Sequence, residues 1–500
     1  MAEGASTDDR MGDVDKILWV IEANPQLRST ITAVLFFDRA PDRAAVISRV
    51  ERATRRVPRL RQRVVWNPYS LAPPRWELDP AFNLSYHLRW SHLGGHGTRA
   101  DVLAFAEPIA MQSFDKARPL WEITVIEGLA HGATAAVAKV HHTITDGVGG
   151  IQLMLELFDL ERHPPSTPHM PEPPVGRVLN QKDRFRSAVL HELQRSRELA
   201  KQAAGELVDL ARDPVDGVRR SVDTACSALR MAQPTTRPMS PLLEARSLSV
   251  QFHAIDRPLG AFRSAARACG ASLNDIYVTG LCRGLASWHD QHGLRVSSLR
   301  MGMPVNARRE GADASGGANQ FLPTRFEVPL AIDDAREHVR AVRDLIRSQR
   351  DEPALDLVEP LAGLMSRLPR FVLTNVFSTV LRGQDFLASN VPGAPVPLYF
   401  AGAELTAIIA FGPLSGTALN ATLISHCDTV HIGINHDPDA IRDGAALAAC
   451  LAQGIDEVLA LGAAPVAKPK RSAKAEAKKP KTRAADNGHH PEAKKVKPRR

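Results

Sequence analysis

From Trp121 to Ile126 apolar and polar residues alternate (Trp-Glu-Ile-Thr-Val-Ile), the period of a strand with one buried face. Glu127 to Gly132 reads as a turn, and Ala133 to Val140 as the returning strand. Past the next loop the period changes. Ile151, Leu155 and Phe158 fall on one helical face, with Met154 beside them. From Gln181 to about Met231 the pattern is helical again: Phe185, Val189 and Leu193, then Leu199, Ala203, Leu207 and Leu210, until Pro214 interrupts it. The longest run without a charge, Leu405 to Cys427, is long enough to cross a bilayer. Gly412, Pro413, Gly416 and Asn420 would break a single helix there, so the run predicts two strands joined by a Gly-Pro turn and no transmembrane segment.

These patterns divide the chain into four parts. Residues 1–165 form a first half that carries strands and a histidine motif. Residues 166–246 form a linker, proline-rich from Pro164-Pro165 to Pro174 and then helical. Residues 247–464 form a second α/β half, and residues 465–500 a basic tail.

Composition refines this picture in three ways. With 44% hydrophobic residues over 500, the chain can bury two ordinary cores. The formal charge of +8 belongs to the tail: Lys468–Arg500 holds thirteen Lys/Arg and three Asp/Glu, a net of +10, which leaves 50 basic against 52 acidic residues elsewhere. A near-neutral body makes no electrostatic case for nucleic-acid binding. The tail is too rich in Ala, Lys and Pro to fold on its own, and its charge suits an anionic lipid surface. The five cysteines (Cys226, Cys269, Cys282, Cys427, Cys450) are scattered without a CxxC pair, which predicts reduced thiols and no zinc site. Met1 to Arg10 is polar and acidic, unlike a signal peptide.

The chemistry concentrates in His141-His-Thr-Ile-Thr-Asp-Gly147. Two histidines stand where a strand ends, ahead of an aspartate-glycine pair and a helix start. An imidazole placed there can take a proton near neutral pH. A loop hydroxyl such as Thr145 reads as a local hydrogen-bond former.

HHxxxDG is the signature of the CoA-dependent acyltransferase superfamily. Asp115-Lys-Ala-Arg-Pro-Leu-Trp-Glu122 precedes it, Asn274-Asp275 opens an apolar helical stretch, and Ser389-Asn-Val-Pro-Gly393 follows late in the chain. In this order the chain, from about Met11 to Leu461, resembles the bacterial wax ester synthase/diacylglycerol acyltransferase family. It departs at its start, where Met11-Gly-Asp-Val-Asp15 replaces the Leu-Ser-Pro-Leu-Asp-like strand opening of family members.

The resemblance implies an α/β fold of two chloramphenicol-acetyltransferase-like halves, each a mixed sheet with helices, and a tunnel between them. It implies acyl-CoA as donor substrate, diacylglycerol or a long-chain alcohol as acceptor, and no cofactor or metal. His142 would be the general base, with no acyl-enzyme. His141, Asp146 and Gly147 would shape the motif, and Arg61, in Pro58-Arg-Leu-Arg61, would pair with Asp146. Pro119, Leu120 and Trp121 would line the tunnel mouth or, in the case of the tryptophan, anchor the core. Asn274 and Asp275 would cap a helix, and Asn390 and Gly393 would shape a tight turn beside the tunnel. Donors near Gly147–Gly150 or from the second half would stabilise an oxyanion. Oily substrates would place the protein in the cytoplasm, peripheral to the inner membrane or to lipid droplets. Two other classes fit the signature: a condensation-type transferase acting on carrier-bound acyl groups, and a non-catalytic lipid-surface protein.

Overall fold

A computed structural model of the chain describes residues 10–66, 72–144, 147–164, 169–176, 178–212, 237–306, 321–350, 363 and 365–463. The basic tail, Cys226, Pro214, Thr145 and Asp146 lie outside the described residues.

The first half runs α1 (Asp13–Ile21), β1 (Thr30–Phe37), α2 (Arg43–Arg56), β2 (Gln62–Val65), β3 (Arg75–Leu78), α3 (Leu84–His87), β4 (Leu88–His92), α4 (Arg99–Met111), β5 (Trp121–Glu127), β6 (Thr134–His141), α5 (Gly147–Leu157) and α6 (Gln181–Arg212). The second runs β7 (Gln251–Pro258), α7 (Leu259–Cys269), α8 (Leu273–Gln291), β8 (Ser298–Asn306), β9 (Phe321–Pro329), α9 (Ala335–Arg350), α10 (Arg370–Arg382), β10 (Phe386–Val391), β11 (Tyr399–Phe400), β12 (Ala403–Phe411), β13 (Leu419–His426), β14 (Thr429–His436) and α11 (Gly444–Leu459).

Two six-stranded sheets result, in the orders β11-β12-β1-β6-β5-β4 and β7-β14-β13-β10-β8-β9. β1 reads Thr-Ile-Thr-Ala-Val-Leu-Phe-Phe, apolar on both faces, and it lies between β12 and β6. Its Leu35 and Phe37 pack with Val46 and Val50 of α2, while Val34 packs with Val102 and Ala106 of α4. α2 forms because Asp42 caps it, accepting from the Ala45 N–H at 2.7 Å, and because Val46, Val50 and Ala53 share one face. Burying each valine stabilises by roughly 1.5–3 kcal/mol.

The division at residue 247 is not a division between sheets, and here the sequence reading is corrected. The uncharged run does form two strands, β12 and β13, but they are not a hairpin. β12 pairs antiparallel with β1 in the first sheet, and β13 pairs with β10 and β14 in the second. The chain crosses between sheets at Gly412–Ala418, turning through Gly416 at φ 85°, a conformation that disfavours a Cβ. The crossing backbone is hydrogen-bonded by side chains: Asn420 Nδ2 donates to Pro413 O at 2.7 Å and Asn435 Nδ2 to Gly412 O at 2.9 Å.

Three local expectations also change. Met11–Asp15 leads into a helix, α1, rather than a strand. α5 buries Phe158 beside its end and packs Leu153, Met154 and Leu157, while Leu155 is exposed. α6 is held by Arg184, bidentate to Glu77 at 3.0 and 2.7 Å, yet Phe185, Val189 and Leu193 face outward. The helix predicted to about Met231 is described to Arg212.

α11 is apolar and, with its 3-10 extension, long enough to span a bilayer, but it is a core helix. Leu447, Leu451, Ile455 and Val458 are buried against α8. A Cβ on Gly284 would lie 2.5 Å from Leu451 Cα, and one on Gly454 2.3 Å from Gly284 N, so glycines let the two backbones touch. Cys269, Cys282, Cys427 and Cys450 are free thiols, and burial pushes the Cys282 thiol up to about 12.

At the start of α11 the rings of His253 and His436 stack at 5.3 Å. Burial, and secondarily the neighbouring His253, pushes the fully buried His436 down to about 4; burial also lowers His253. The folded state therefore binds fewer protons than the unfolded one between the ordinary histidine value of 6.5 and about 4. Stability is complete above that window and falls as pH drops through it. His436→Leu should flatten the loss of thermal midpoint between neutral and mildly acidic buffer. Identical slopes for parent and variant would refute this.

Candidate active site

β6 delivers the two histidines. Thr30 of β1 pairs with His141 at the strand end, and the His142 N–H continues the ladder to Ser29 O at 2.8 Å. On the other side the His141 N–H donates to Leu120 O at 3.0 Å. The Ile144 N–H returns to His141 O at 2.9 Å, closing a turn, and α5 starts at Gly147. His142 is thus a half-buried residue whose backbone is fixed from β1, at the mouth of a strand-turn-helix connection.

His141 is buried and bonded through both ring nitrogens. The Thr143 N–H donates to Nδ1 at 3.2 Å, and Thr143 Oγ1 lies 2.7 Å away. Nδ1 is therefore an acceptor, which leaves Nε2 to carry the proton it shares with Glu22 Oε1 at 2.8 Å. Glu22 also accepts from the Ser29 N–H at 2.9 Å and lies 3.2 Å from Lys116 Nζ. Burial alone would raise this carboxyl. The hydrogen bond from His141, the Lys116 charge and the Ser29 amide outweigh it and hold Glu22 down to about 2. Trp19 and Phe114 set their rings edge-on to His141 at 5.8 and 6.2 Å.

Lys139 lies two residues earlier on the same strand face and is fully buried. Its ammonium stands 4.4 Å over the Phe114 ring. Burial brings it down to about 8 against the pull of Glu122, its cross-strand partner on β5.

Pro119 and Leu120 are buried beside the motif. Trp121 is a core residue of the first sheet: its indole donates to Leu60 O at 2.7 Å and its ring stacks on His87 at 4.7 Å. Arg61 donates to Glu51 Oε1 at 2.5 Å and to Thr54 Oγ1 at 3.0 Å, with its guanidinium 4.5 Å over Phe82. Its expected partner Asp146 lies outside the described residues; the carboxylate that Arg61 meets is Glu51.

In the second half the helix cap is Ser272, not Asn274 or Asp275. Asp275 closes a capping box, accepting from the Ser272 N–H at 2.7 Å. Asn274 accepts from Asn390 Nδ2 at 3.4 Å. Gly393 serves close approach rather than a turn requiring positive φ: a Cβ there would lie 1.6 Å from Ser425 O. Glu22, Ser29 and Thr143 went unread in the sequence. Thr143 is inside the motif, but nothing local marks Glu22, which meets His141 from 119 residues away.

Comparison with known proteins decides the family. Residues 9–277 match the wax ester synthase/diacylglycerol acyltransferase catalytic domain and residues 318–458 the C-terminal domain of that group. The chain belongs to the wax ester synthase/diacylglycerol acyltransferase family. It is 38% identical over 474 residues to a candidate diacylglycerol O-acyltransferase of Mycobacterium tuberculosis, covering 93% of this chain and 94% of that one. In fold it is similar to the wax ester synthase/diacylglycerol acyltransferase of Marinobacter aquaeolei VT8, with a TM-score of 0.59 at 20% identity, covering 91% of this chain and 100% of the other. The first condensation domain of the CDA synthetase is similar too, with a TM-score of 0.58 at 17% identity over 94% of this chain and 99% of that one. The protein is therefore an acyltransferase, and the α/β reading with two chloramphenicol-acetyltransferase-like halves holds.

Glu22→Ala should strip buried donors on His141 and Ser29 of their acceptor, at about 1–3 kcal/mol each. A lowered thermal midpoint with reduced turnover is expected, and Glu22→Gln, which keeps an acceptor, should be milder. Because the Glu22 value is depressed, its contribution is present above the ordinary 4.5 and lost as pH falls towards 2. Parental stability and turnover in Glu22→Ala would overturn this account.

Proposed function

We propose that this protein transfers a long-chain acyl group from acyl-CoA to diacylglycerol, forming triacylglycerol, and to long-chain alcohols, forming wax esters. The observation that carries the reading is His142, backbone-fixed at the end of β6 in an intact HHxxxDG motif, within a chain that matches both domains of the family.

In this reading the His142 imidazole takes the proton of the acceptor hydroxyl. The alcohol oxygen bonds to the thioester carbonyl carbon, and a tetrahedral oxyanion forms. Amides at the start of α5, from Gly147 to Gly150, supply its stabilisation. The intermediate collapses, the C–S bond breaks, and the imidazolium returns its proton to the CoA thiolate. No acyl-enzyme is needed. His141, pinned by Glu22 and Thr143, holds the strand end from which His142 projects, and Asp146 has a structural part. The pairing of Asp146 with Arg61 requires Arg61 to bridge it and Glu51.

The enzyme works in the cytoplasm, docked at the inner membrane or a lipid droplet. The +10 of Lys468–Arg500 supports this, since basic residues near a charged bilayer contribute about 1 kcal/mol each.

His142→Ala should abolish CoA release from a long-chain acyl-CoA in the presence of diacylglycerol or hexadecanol, with the thermal midpoint retained. His141→Ala should lose less turnover and more stability. Near-parental turnover in folded His142→Ala would sink the mechanism, and a preference for short polar alcohols would sink the acceptor assignment.

Removing residues 465–500 should weaken binding to anionic liposomes and leave turnover on detergent-dispersed substrate unchanged. Equal binding by truncated and full-length protein at low salt would eliminate the tail's docking role.

A further inference from the structure

α6 carries an apolar stripe that the fold does not use. Phe185, Val189 and Leu193 recur every four residues on one helical face and are 61%, 44% and 53% exposed. Leu190 beside them is 50% exposed. The opposite side of the same helix is tightly held. Ala188 is buried, Arg184 grips Glu77 at 2.7 Å, and Arg195 pairs with Asp13. The helix is thus fixed to the body through one face and displays large apolar side chains on the other.

Among the side chains of α6 that the structure describes, the charges on the outward face are of one sign. Among the described residues from 181 to 201, the exposed charged side chains are Lys182, Arg186, Arg197 and Lys201. The acidic Asp183 and Glu192 are turned partly inward. Asp13 also binds Ser366 Oγ at 2.8 Å, and shortly after it Leu368, Arg370 and Phe371 are exposed together. The same mixture of apolar and basic side chains therefore recurs on a second element tied to the same carboxylate.

We propose that the outer face of α6 docks the enzyme on an anionic lipid surface, with Phe185, Val189 and Leu193 entering the acyl boundary and Lys182, Arg186 and Arg197 meeting the headgroups. The proposal rests on the acyltransferase reading only for its purpose, bringing the enzyme to oily substrates. A large apolar stripe flanked by cations, on a helix lying along the body, is the chemistry that binds in the plane of a bilayer interface. A second copy of the chain fits less well, because a two-fold contact would set these cations against their own copies. The +10 tail would be repelled by the same sign. Nucleic acid would leave the apolar stripe unused.

The test is sedimentation of the full-length protein with phosphatidylcholine vesicles, with and without phosphatidylglycerol. Phe185→Ser/Val189→Ser/Leu193→Ser should lower partition onto the anionic vesicles about tenfold or more. Arg186→Glu/Arg197→Glu should do so selectively for vesicles that contain phosphatidylglycerol. Both variants should keep the parental thermal midpoint and release CoA normally from detergent-dispersed substrate. Loss of vesicle partition supports the face whatever CoA release shows, so failure of the catalytic reading stays separate. Parental partition in the folded triple variant overturns the proposal. So does a variant that converts a dimer to a monomer with partition unchanged, because the stripe would then be a seam between copies.

Discussion

The strand Ala403–Phe411 is the constraint on which the rest of the molecule depends. It belongs by sequence to the second half and by hydrogen bonding to the first, where it covers the edge of β1. With β12 in place, β1 is an interior strand and can carry apolar residues on both faces; without it, β1 would be an exposed apolar edge open to wrong pairing. Ser29, the residue leading into β1, in turn supplies the carbonyl that fixes the His142 backbone. A strand some 260 residues downstream of the motif thus takes part in holding it. Polar contacts strengthen the same junction. Asp256 of β7 accepts from Arg99 of α4 at 2.9 Å and from His431 at 2.7 Å. Burial opposes the ionisation of this carboxyl, and the bonds from His431 and Arg99 more than offset it.

The histidine motif is built on the same balance of desolvation against partners. A buried carboxylate such as Glu22 is costly unless every lone pair is used. Here His141, the Ser29 amide and Lys116 use them, so the charge that would destabilise an apolar interior becomes the anchor of a strand end. This arrangement gives the two adjacent histidines different work. His141 is turned into the protein and saturated with hydrogen bonds, while His142 is directed by the strand's alternation to the other side. Lys139 extends the polar row inward, its ammonium set over the face of Phe114.

What could be read from the sequence was what local period and spacing determine. β5, β6 and the start of α5 follow from alternation, a turn and a helix onset within about forty residues, and the HHxxxDG spacing needs no tertiary information. The crossover was half legible. Gly412, Pro413 and Gly416 forbid a single helix, so two strands were foreseen, but no local signal tells a hairpin from two strands sent to different sheets. Glu22 was illegible for a related reason: an acidic residue at the end of an apolar helix reads as solvent-facing until the strand that meets it is known. Asp275 shows a smaller error of the same kind. Asn and Asp suit a cap, but Ser272 three residues earlier takes the position and Asp275 closes the box.

α6 shows where periodicity stops being informative. A repeat of Phe185, Val189 and Leu193 establishes an amphipathic helix, and for a helix inside a domain that stripe would face the core. The core of the first half is already complete without it: α2 and α5 cover one face of the sheet and α4 the other. The helix docks instead through Arg184 and Arg195, whose carboxylate partners Glu77 and Asp13 lie on β3 and α1. Arginine is suited to this, since its planar fork can hold a carboxylate bidentately at a partly buried surface. Ion pairs therefore take the inward side and leave the apolar side outward, the reverse of the usual arrangement. The lipid docking proposed for α6 would use that reversal: the polar side secures the helix to the body of the protein, and the apolar side stays outward.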